Sequence, residues 1–162
     1  MRISIFLFLL LLSNMLEAAD LKQEAFLSDW LSSCNSQSVN SPKVCGLERN
    51  LFYDKTMSKR MISIGFRTVA SEPIVMTIIS PLGSLISEGV EVDIKGLEGK
   101  KLPFILCDQR GCLSQIQLTN EMLVSLNKQK TLMMKYQLVN ANKAIVNFDL
   151  TGFDVSFAKI KQ

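Results

Sequence analysis

The clearest alternation of apolar and polar side chains lies between residues 61 and 68. Large apolar side chains at Ile62, Ile64 and Phe66 alternate there with small or polar ones. A period of two places the apolar side chains on one face of a β-strand. The next run, Ile74–Ile79, is almost wholly apolar and rich in β-branched residues, which predicts a strand buried on both faces.

Shorter apolar runs predict further strands along the rest of the chain. Gly46 weakens one of them, because glycine in a strand interior supplies no side chain for packing. Asn120 is expected to cap a helix near 120–127, in which Met122, Leu123 and Leu126 share one face. A terminal helical turn is expected over Asp154–Ile160. The remaining strands are expected at 30–34, 44–52, 90–94, 132–139 and 144–150.

Residues 102–118 have the pattern of a β-hairpin. Two apolar runs flank the polar tip Asp108-Gln109-Arg110-Gly111, and Cys107 and Cys112 close its two sides. Gly111 is expected to adopt the positive φ that a tight loop needs. About eight or nine short strands with one short helix indicate an all-β fold, an antiparallel β-sandwich in a single domain.

Residues 1–19 have the layout of a secretory signal peptide. A short positive start at Arg2 precedes the apolar run Ile3–Leu12, and the small pair Ala18-Ala19 follows. We therefore expect export and a mature domain over 20–162, with an uncleaved membrane anchor as the alternative. The apolar run is short for a membrane span, which favours cleavage.

The four cysteines, at 34, 45, 107 and 112, all lie in the expected mature domain. An even number of cysteines in an exported chain favours disulfides. Four cysteines allow three connectivities, and closeness in sequence favours Cys34–Cys45 with Cys107–Cys112. A zinc site is disfavoured because the usual short paired spacing is absent. A thiol oxidoreductase usually separates its two cysteines by two residues, whereas four lie between Cys107 and Cys112.

The composition argues against most enzyme classes. The chain has no histidine, which removes the commonest general base and the commonest metal ligand. It also lacks the Gly-Lys-Ser/Thr of a phosphate-binding loop. Glu91 and Asp93 are two residues apart on one strand, but they alternate with apolar neighbours, which is typical of a solvated face. We expect no catalytic residue, cofactor or metal.

The charge of the chain is nearly balanced, with a formal net value of +3 over 162 residues. That value gives no indication of a nucleic-acid partner. Basic residues cluster at Lys55, Lys59 and Arg60, and again at Lys100 and Lys101. These clusters are typical of solvated turns, with docking to an acidic surface as the alternative interpretation.

Landmarks along the whole mature domain resemble those of the invasion-associated locus B family of exported bacterial proteins. Ser156 departs from the family pattern, which tends to place alanine there. The residues that carry the resemblance are Phe26-x-x-Asp29-Trp30-x-x-x-Cys34, Cys45, Pro81-Leu82-Gly83, Leu85, Gly89-Val90, Leu102-Pro103-Phe104, Cys107, Gly111-Cys112 and Leu150-x-Gly152-Phe153.

The resemblance implies an immunoglobulin-like sandwich in the periplasm or cell envelope of a Gram-negative alphaproteobacterium, or secreted from it. It implies a link with entry into host cells and brings no catalytic residues. We expect a non-enzymatic protein that recognises an unidentified protein or cell-surface partner through surface loops. Peripheral association with the envelope is compatible with this role. The alternatives are a general periplasmic chaperone-like or inhibitor protein, and a thiol–disulfide redox protein that uses Cys107 and Cys112.

Overall fold

The computed structural model describes residues 25–36, 38, 41–140 and 142–161. The expected signal peptide, 1–19, and the first residues of the expected mature domain lie outside this part of the chain. The described residues form two helices, α1 (Asn120–Lys128) and α2 (Phe153–Ala158). Their strands are β1 (Phe26–Leu27), β2 (Leu31–Asn35), β3 (Val44–Phe52), β4 (Arg60–Val69), β5 (Val75–Ser80), β6 (Val90–Val92), β7 (Lys101–Leu102), β8 (Leu106–Asp108), β9 (Gly111–Gln117), β10 (Thr131–Gln137) and β11 (Lys143–Asp149).

The strands form two antiparallel sheets. In the seven-stranded sheet, β1 and β2 lie along the same edge of β3, and the order continues through β4, β5 and β9 to β8. The four-stranded sheet has the order β11-β10-β6-β7. The predicted antiparallel β-sandwich is therefore confirmed. The described residues contain eleven strands rather than eight or nine, since very short strands such as β1 and β7 carry too few residues to show a period.

The core lies between the two sheets. Strand β4 contributes Ile62, Ile64 and Phe66, which are essentially inaccessible, as the alternating pattern predicts. Side chains that face them from the four-stranded sheet include Leu132, Met134 and Phe148, each with no exposed surface. Burying a large aliphatic side chain of this kind stabilises a protein by about 2 kcal/mol.

The expectation that Ile74–Ile79 is buried on both faces is wrong. Met76 and Ile78 point into the core and are inaccessible, whereas Val75, Thr77 and Ile79 keep intermediate exposure. The reason is that β5 belongs to a two-layer sandwich, so only its inner face is covered by the other sheet. Its outer face belongs to the open side of the seven-stranded sheet.

The hairpin is shorter at its first arm than the sequence predicts. Leu102 lies in β7 and pairs with Val90 of the four-stranded sheet, so the chain crosses between sheets before β8 begins at Leu106. Gly111 has φ +129°, as expected for the tip. A Cβ at Gly111 would lie 2.2 Å from the carbonyl oxygen of Ser80, so the close approach of β5 also requires glycine.

Helix α1 begins at Asn120, as expected for a helix near 120–127, but the expectation that Asn120 caps it is wrong. Thr119 has the extended backbone of a cap residue, and its hydroxyl accepts a hydrogen bond of 3.2 Å from the amide of Met122. Met122 and Leu126 are buried on the face predicted for the helix. Helix α2 buries Phe153 and Phe157 in the same core.

A cluster around Trp30 joins the two ends of the described chain. One extra residue lies between β1 and β2 relative to β3, and the resulting bulge carries Trp30. Its indole Nε1 donates to the carbonyl of Thr151 at 3.0 Å, and its ring lies 5.5 Å from that of Phe153. Arg49 stacks over Trp30 at 5.3 Å and donates to the carbonyls of Asp149 and Thr151, both at 3.0 Å. We call Trp30, Arg49, Thr151 and Phe153 the clasp.

Candidate functional site

The outer face of the seven-stranded sheet carries a groove of about 420 Å³ across β2, β3, β4 and β5. We call it the outer groove. Its floor is the backbone at Gly46 and Gly65, which leaves the middle of the sheet without side chains. The side chains along its borders are those of Leu31, Ser33, Val44, Glu48, Arg67 and Thr77.

The pairing register explains why the floor is bare. Gly65 lies between Glu48 of β3 and Thr77 of β5, and Gly46 lies between Ser33 and Arg67. A Cβ at Gly65 would lie 2.6 Å from Oγ1 of Thr77, so a side chain there conflicts with its neighbour. A Cβ at Gly46 would meet nothing nearer than 3.9 Å, so a side chain there would fit and would fill the groove.

A second, smaller depression of about 230 Å³ lies beside the hairpin on the same face. Thr77 lines both depressions, so they form one path across the sheet. Exposed apolar side chains lie at its two ends, with Leu31 62% exposed and Leu106 46% exposed. Exposed apolar surface beside bare backbone suits an apolar or extended polypeptide partner better than a small charged ligand.

The charged side chains at this face have nearby polar or oppositely charged partners. Arg110 donates to Asp108 at 2.7 Å, and the same contact holds the pKa of Asp108 below its usual value and raises that of Arg110. Arg67 lies 3.6 Å from Glu72. Glu48 accepts hydrogen bonds from Asn50 and Ser63. Two opposite-charge pairs thus lie at this face, together with a carboxylate at Glu48 whose two donors here are uncharged.

The four cysteines form two pairs at opposite edges of the seven-stranded sheet. Cys34 and Cys45 join β2 to β3 with 2.01 Å between their sulfurs, and Cys107 and Cys112 join β8 to β9 with 2.12 Å. The structure thus brings the sulfurs together in the two pairs that closeness in sequence favours. It does not bring all four together, since β4 and β5 lie between the pairs.

The hairpin pair lacks the surroundings of a reactive thiol. Cys112 is 2% exposed while Cys107 is exposed, and the neighbouring Arg110 guanidinium, a type of group that stabilises thiolates, contacts Asp108. Both sulfurs lie on strands, and no helix N-terminus is part of the hairpin. In the described part of the chain, no group of three or more Asp, Glu, Cys or His side chains is placed to hold a metal ion.

The other charged residues that the sequence singled out lie in solvated positions. Glu91 accepts from Lys135 at 3.0 Å on the outer face of the four-stranded sheet, while Val90 and Val92 are buried. Lys101 forms an ion pair with Glu88, and this pairing lowers the pKa of that carboxyl. Lys55 lies 5.6 Å from the ring of Phe26. These contacts do not assemble an acid–base pair.

Residues 30–161 match the protein family described as invasion associated locus B protein. The chain belongs to the invasion-associated locus B family. Its fold is similar to the crystal structure of invasion associated protein B from Bartonella henselae, with a TM-score of 0.66 and 19% sequence identity. That similarity covers 83% of this chain and 94% of the Bartonella chain. A comparison with curated proteins finds no match.

Family membership and the paired cysteines together indicate an extracytoplasmic protein. No helix within the described residues is both long enough and apolar enough to cross a membrane. The residues that carry the family resemblance lie in the framework: Trp30 and Phe153 meet in the clasp, and the cysteines pin the sheet edges.

Sequence reasoning missed the outer groove. In the sequence, Gly46 weakens a predicted strand and Gly65 is one of the small residues that alternate with Ile62, Ile64 and Phe66, and neither property alone indicates a groove. The available signal was glycine at an outward position in two successive strands, which marks a place where another chain can approach the backbone. Recognising the groove needed the register that sets Gly65 beside Thr77.

Proposed function

We propose that this family member is an exported, non-enzymatic protein of the bacterial envelope that takes part in host-cell invasion through surface recognition. Its contact surface is the outer groove together with the depression beside the hairpin. The partner is a protein or cell-surface component that presents an extended, largely apolar segment. The observation that carries the proposal is the glycine floor between exposed apolar side chains on the open face of the sheet.

The groove is suited to recognition by backbone contact. A segment that crosses Gly46 approaches the sheet without displacing side chains, and it meets the hydroxyl of Thr77 beside Gly65. Leu31 and Leu106 offer apolar contact at the two ends. The two cysteine pairs hold the edges beside these leucines, so the surface is organised before a partner arrives. A preorganised surface binds with less loss of conformational entropy.

The experiment fills the groove in the bacterium that carries the gene. A deletion strain is complemented with the wild-type chain or with the Gly46→Tyr variant, and host-cell entry and ordinary growth are both scored. The Cβ at residue 46 has room, so the variant is expected to fold normally and to lose the entry function. Thr131→Tyr, which adds the same ring to an exposed position on the other sheet, is the matched control and should behave as wild type.

Each result has a definite meaning. Normal entry with Gly46→Tyr contradicts the groove as the contact surface. Normal entry by the deletion strain, together with impaired growth, contradicts the invasion role and favours a general periplasmic chaperone-like or inhibitor protein. The same Gly46→Tyr variant then shows whether that housekeeping role uses the groove.

A further inference from the structure

Strand β11 presents an open edge of the four-stranded sheet. Only alternate residues of β11 exchange backbone hydrogen bonds with its neighbour β10. The amide of Leu138 donates to the carbonyl of Asn142, and the amide of Leu150 donates to the carbonyl of Lys130, and these two bonds fix which residues alternate. The amides and carbonyls of Lys143, Ile145, Asn147 and Asp149 therefore point away from β10. In the described part of the chain, Arg49 donates to the carbonyl of Asp149, and no other hydrogen bond reaches these backbone groups.

This edge differs from the other sheet edges among the described residues. Strand β7 has two residues and β8 has three, and the β1–β2 edge is broken by the bulge that carries Trp30. Short or broken edges resist pairing with another chain, whereas β11 offers seven consecutive residues. Ile145, in its middle, is 62% exposed.

The sequence of β11 is complementary to itself in one register. If two copies align antiparallel about a two-fold axis at Val146, all seven residues overlap and the outward backbone groups face one another, the carbonyl of Asp149 alone among them also accepting from Arg49. Lys143 of each copy then lies opposite Asp149 of the other, and Ile145 lies opposite Asn147. Two pairs of opposite charge result from a single symmetry operation, as an isologous interface requires.

We propose that two copies of the chain associate edge to edge through β11, which joins their four-stranded sheets into one continuous eight-stranded sheet. The inward-facing residues suit this arrangement, because Ala144 and Phe148 of the two copies become neighbours above the joined cores. Asp149 is held ionised, since its hydrogen bonds with Thr151 and the nearby Arg49 lower its pKa. In each copy the outer groove lies on the seven-stranded sheet, whereas the joined edge belongs to the four-stranded sheet. The dimer therefore does not depend on the proposed function.

The test measures the oligomeric state of the folded wild-type chain by sedimentation velocity over a concentration series that reaches the millimolar range. We expect a reversible dimer. Lys143→Glu or Asp149→Lys alone places like charges opposite each other and should raise the dissociation constant by roughly tenfold. An equimolar mixture of the two variants restores both opposite-charge pairs and should recover the wild-type affinity. Lys100→Glu, the same charge change at an exposed residue off this edge, should leave association unchanged.

A second variant guards against local damage, because Asp149 also accepts two hydrogen bonds from Thr151. Ile145→Pro removes an amide that faces the open edge and spares the bonds to β10, so it should abolish the dimer while the unfolding midpoint stays near that of wild type. A wild-type chain that remains monomeric throughout overturns the proposal. So does a dimer that is indifferent to both charge reversals and to Ile145→Pro, or a variant mixture that does not recover affinity.

Discussion

Gly46 and Gly65 lie in neighbouring strands of the same sheet, yet their surroundings differ. The space above Gly46 is open, whereas the Oγ1 of Thr77 occupies the space where a Cβ of residue 65 would lie. The outer groove thus has one replaceable glycine and one that its neighbour enforces. Substitution of Gly46 can therefore test the shape of the groove, whereas substitution of Gly65 tests the stability of the fold.

We predict that Gly65→Ala lowers the free energy of unfolding by about 1–2 kcal/mol because the new methyl group conflicts with Thr77. Adding Thr77→Ala should recover most of the loss. Thr77→Val keeps a methyl in the place of the hydroxyl and should not. Urea denaturation measures each variant, with Gly46→Ala as the control that stays within about 0.5 kcal/mol of wild type or above it. Equal losses at the two glycines would contradict the geometry.

Arg49 connects the two sheets at one side of the sandwich. Its guanidinium donates to three backbone carbonyls, those of Ser28, Asp149 and Thr151, and covers the ring of Trp30. A planar fork of donors is specific to arginine, so lysine cannot reproduce these bonds. The side chain therefore contributes to stability by linking the two sheets.

We expect both Arg49→Met and Arg49→Lys to lower the free energy of unfolding, the former by about 1–2 kcal/mol, since three backbone carbonyls lose a charged donor and Trp30 loses the guanidinium above its ring. Arg67→Met removes an exposed guanidinium whose ion pair with Glu72 is long, and it should cost less than about 0.5 kcal/mol. Chemical denaturation of the three variants under one set of conditions gives the comparison. If Arg67→Met lowered the unfolding free energy as much as Arg49→Met does, the clasp would make no special contribution to stability.

The turn between β3 and β4 depends on a single carboxylate. Asp54 accepts hydrogen bonds from the hydroxyl of Thr56 at 2.5 Å and from the amides of Ser58 and Lys59. These bonds, that from Thr56 above all, lower the pKa of Asp54 from 3.8 to about 2. The ionised form is thus favoured in the folded chain.

This shift has a predicted effect on stability. Because the folded-state pKa is depressed, the contribution of Asp54 is fully present above pH 3.8 and is lost as the pH falls towards 2. In the Asp54→Asn variant, the unfolding free energy should therefore fall less steeply than in wild type as the pH decreases through that range. The difference in unfolding free energy between variant and wild type should be smallest at the acid end. Thermal unfolding of wild type and variant at matched pH values measures it. Parallel declines would show that Asp54 is not responsible.

At the scale of elements, the sequence predicted what is local. The strict alternation around Ile62 and Ile64 identified β4 and its buried face, and the hairpin tip at Gly111 followed from its neighbours. The sequence did not predict that Leu102 leaves the hairpin for the other sheet, or that Thr77 faces outwards. Both depend on which distant strand lies alongside, and a periodic pattern carries no information about that neighbour.

The whole molecule is held by a core and by two cysteine pairs at opposite edges of one sheet. The pairs enclose sequence separations of 11 and 5 residues, and chain entropy for such short loops amounts to about 2–3 kcal/mol each. They therefore strengthen the sheet edges without replacing the core. This role is distinct from redox chemistry, in which the sulfurs themselves would change partners.

Two measurements separate these roles. Thiol labelling of the denatured, unreduced chain from an oxidising compartment should find no free cysteine. The paired change Cys107→Ala and Cys112→Ala should lower the unfolding free energy by about 2 kcal/mol, and it should weaken host-cell entry no more than the paired change Cys34→Ala and Cys45→Ala does, because each pair holds one edge of the contact surface. Loss of entry by a folded variant that lacks the hairpin pair, with entry retained by the variant that lacks Cys34 and Cys45, would favour the redox alternative.

The clasp also determines the order in which the molecule can be completed. Trp30 contacts a carbonyl 121 positions further along the chain, and Phe153 and Phe157 fill the space beside it. During synthesis, the partners of the first strands therefore emerge last, and a nascent chain that lacks them has an unfilled interior. Contacts between such distant residues form slowly. A polypeptide with this arrangement cannot complete its core until Thr151 and Phe153 are available to Trp30.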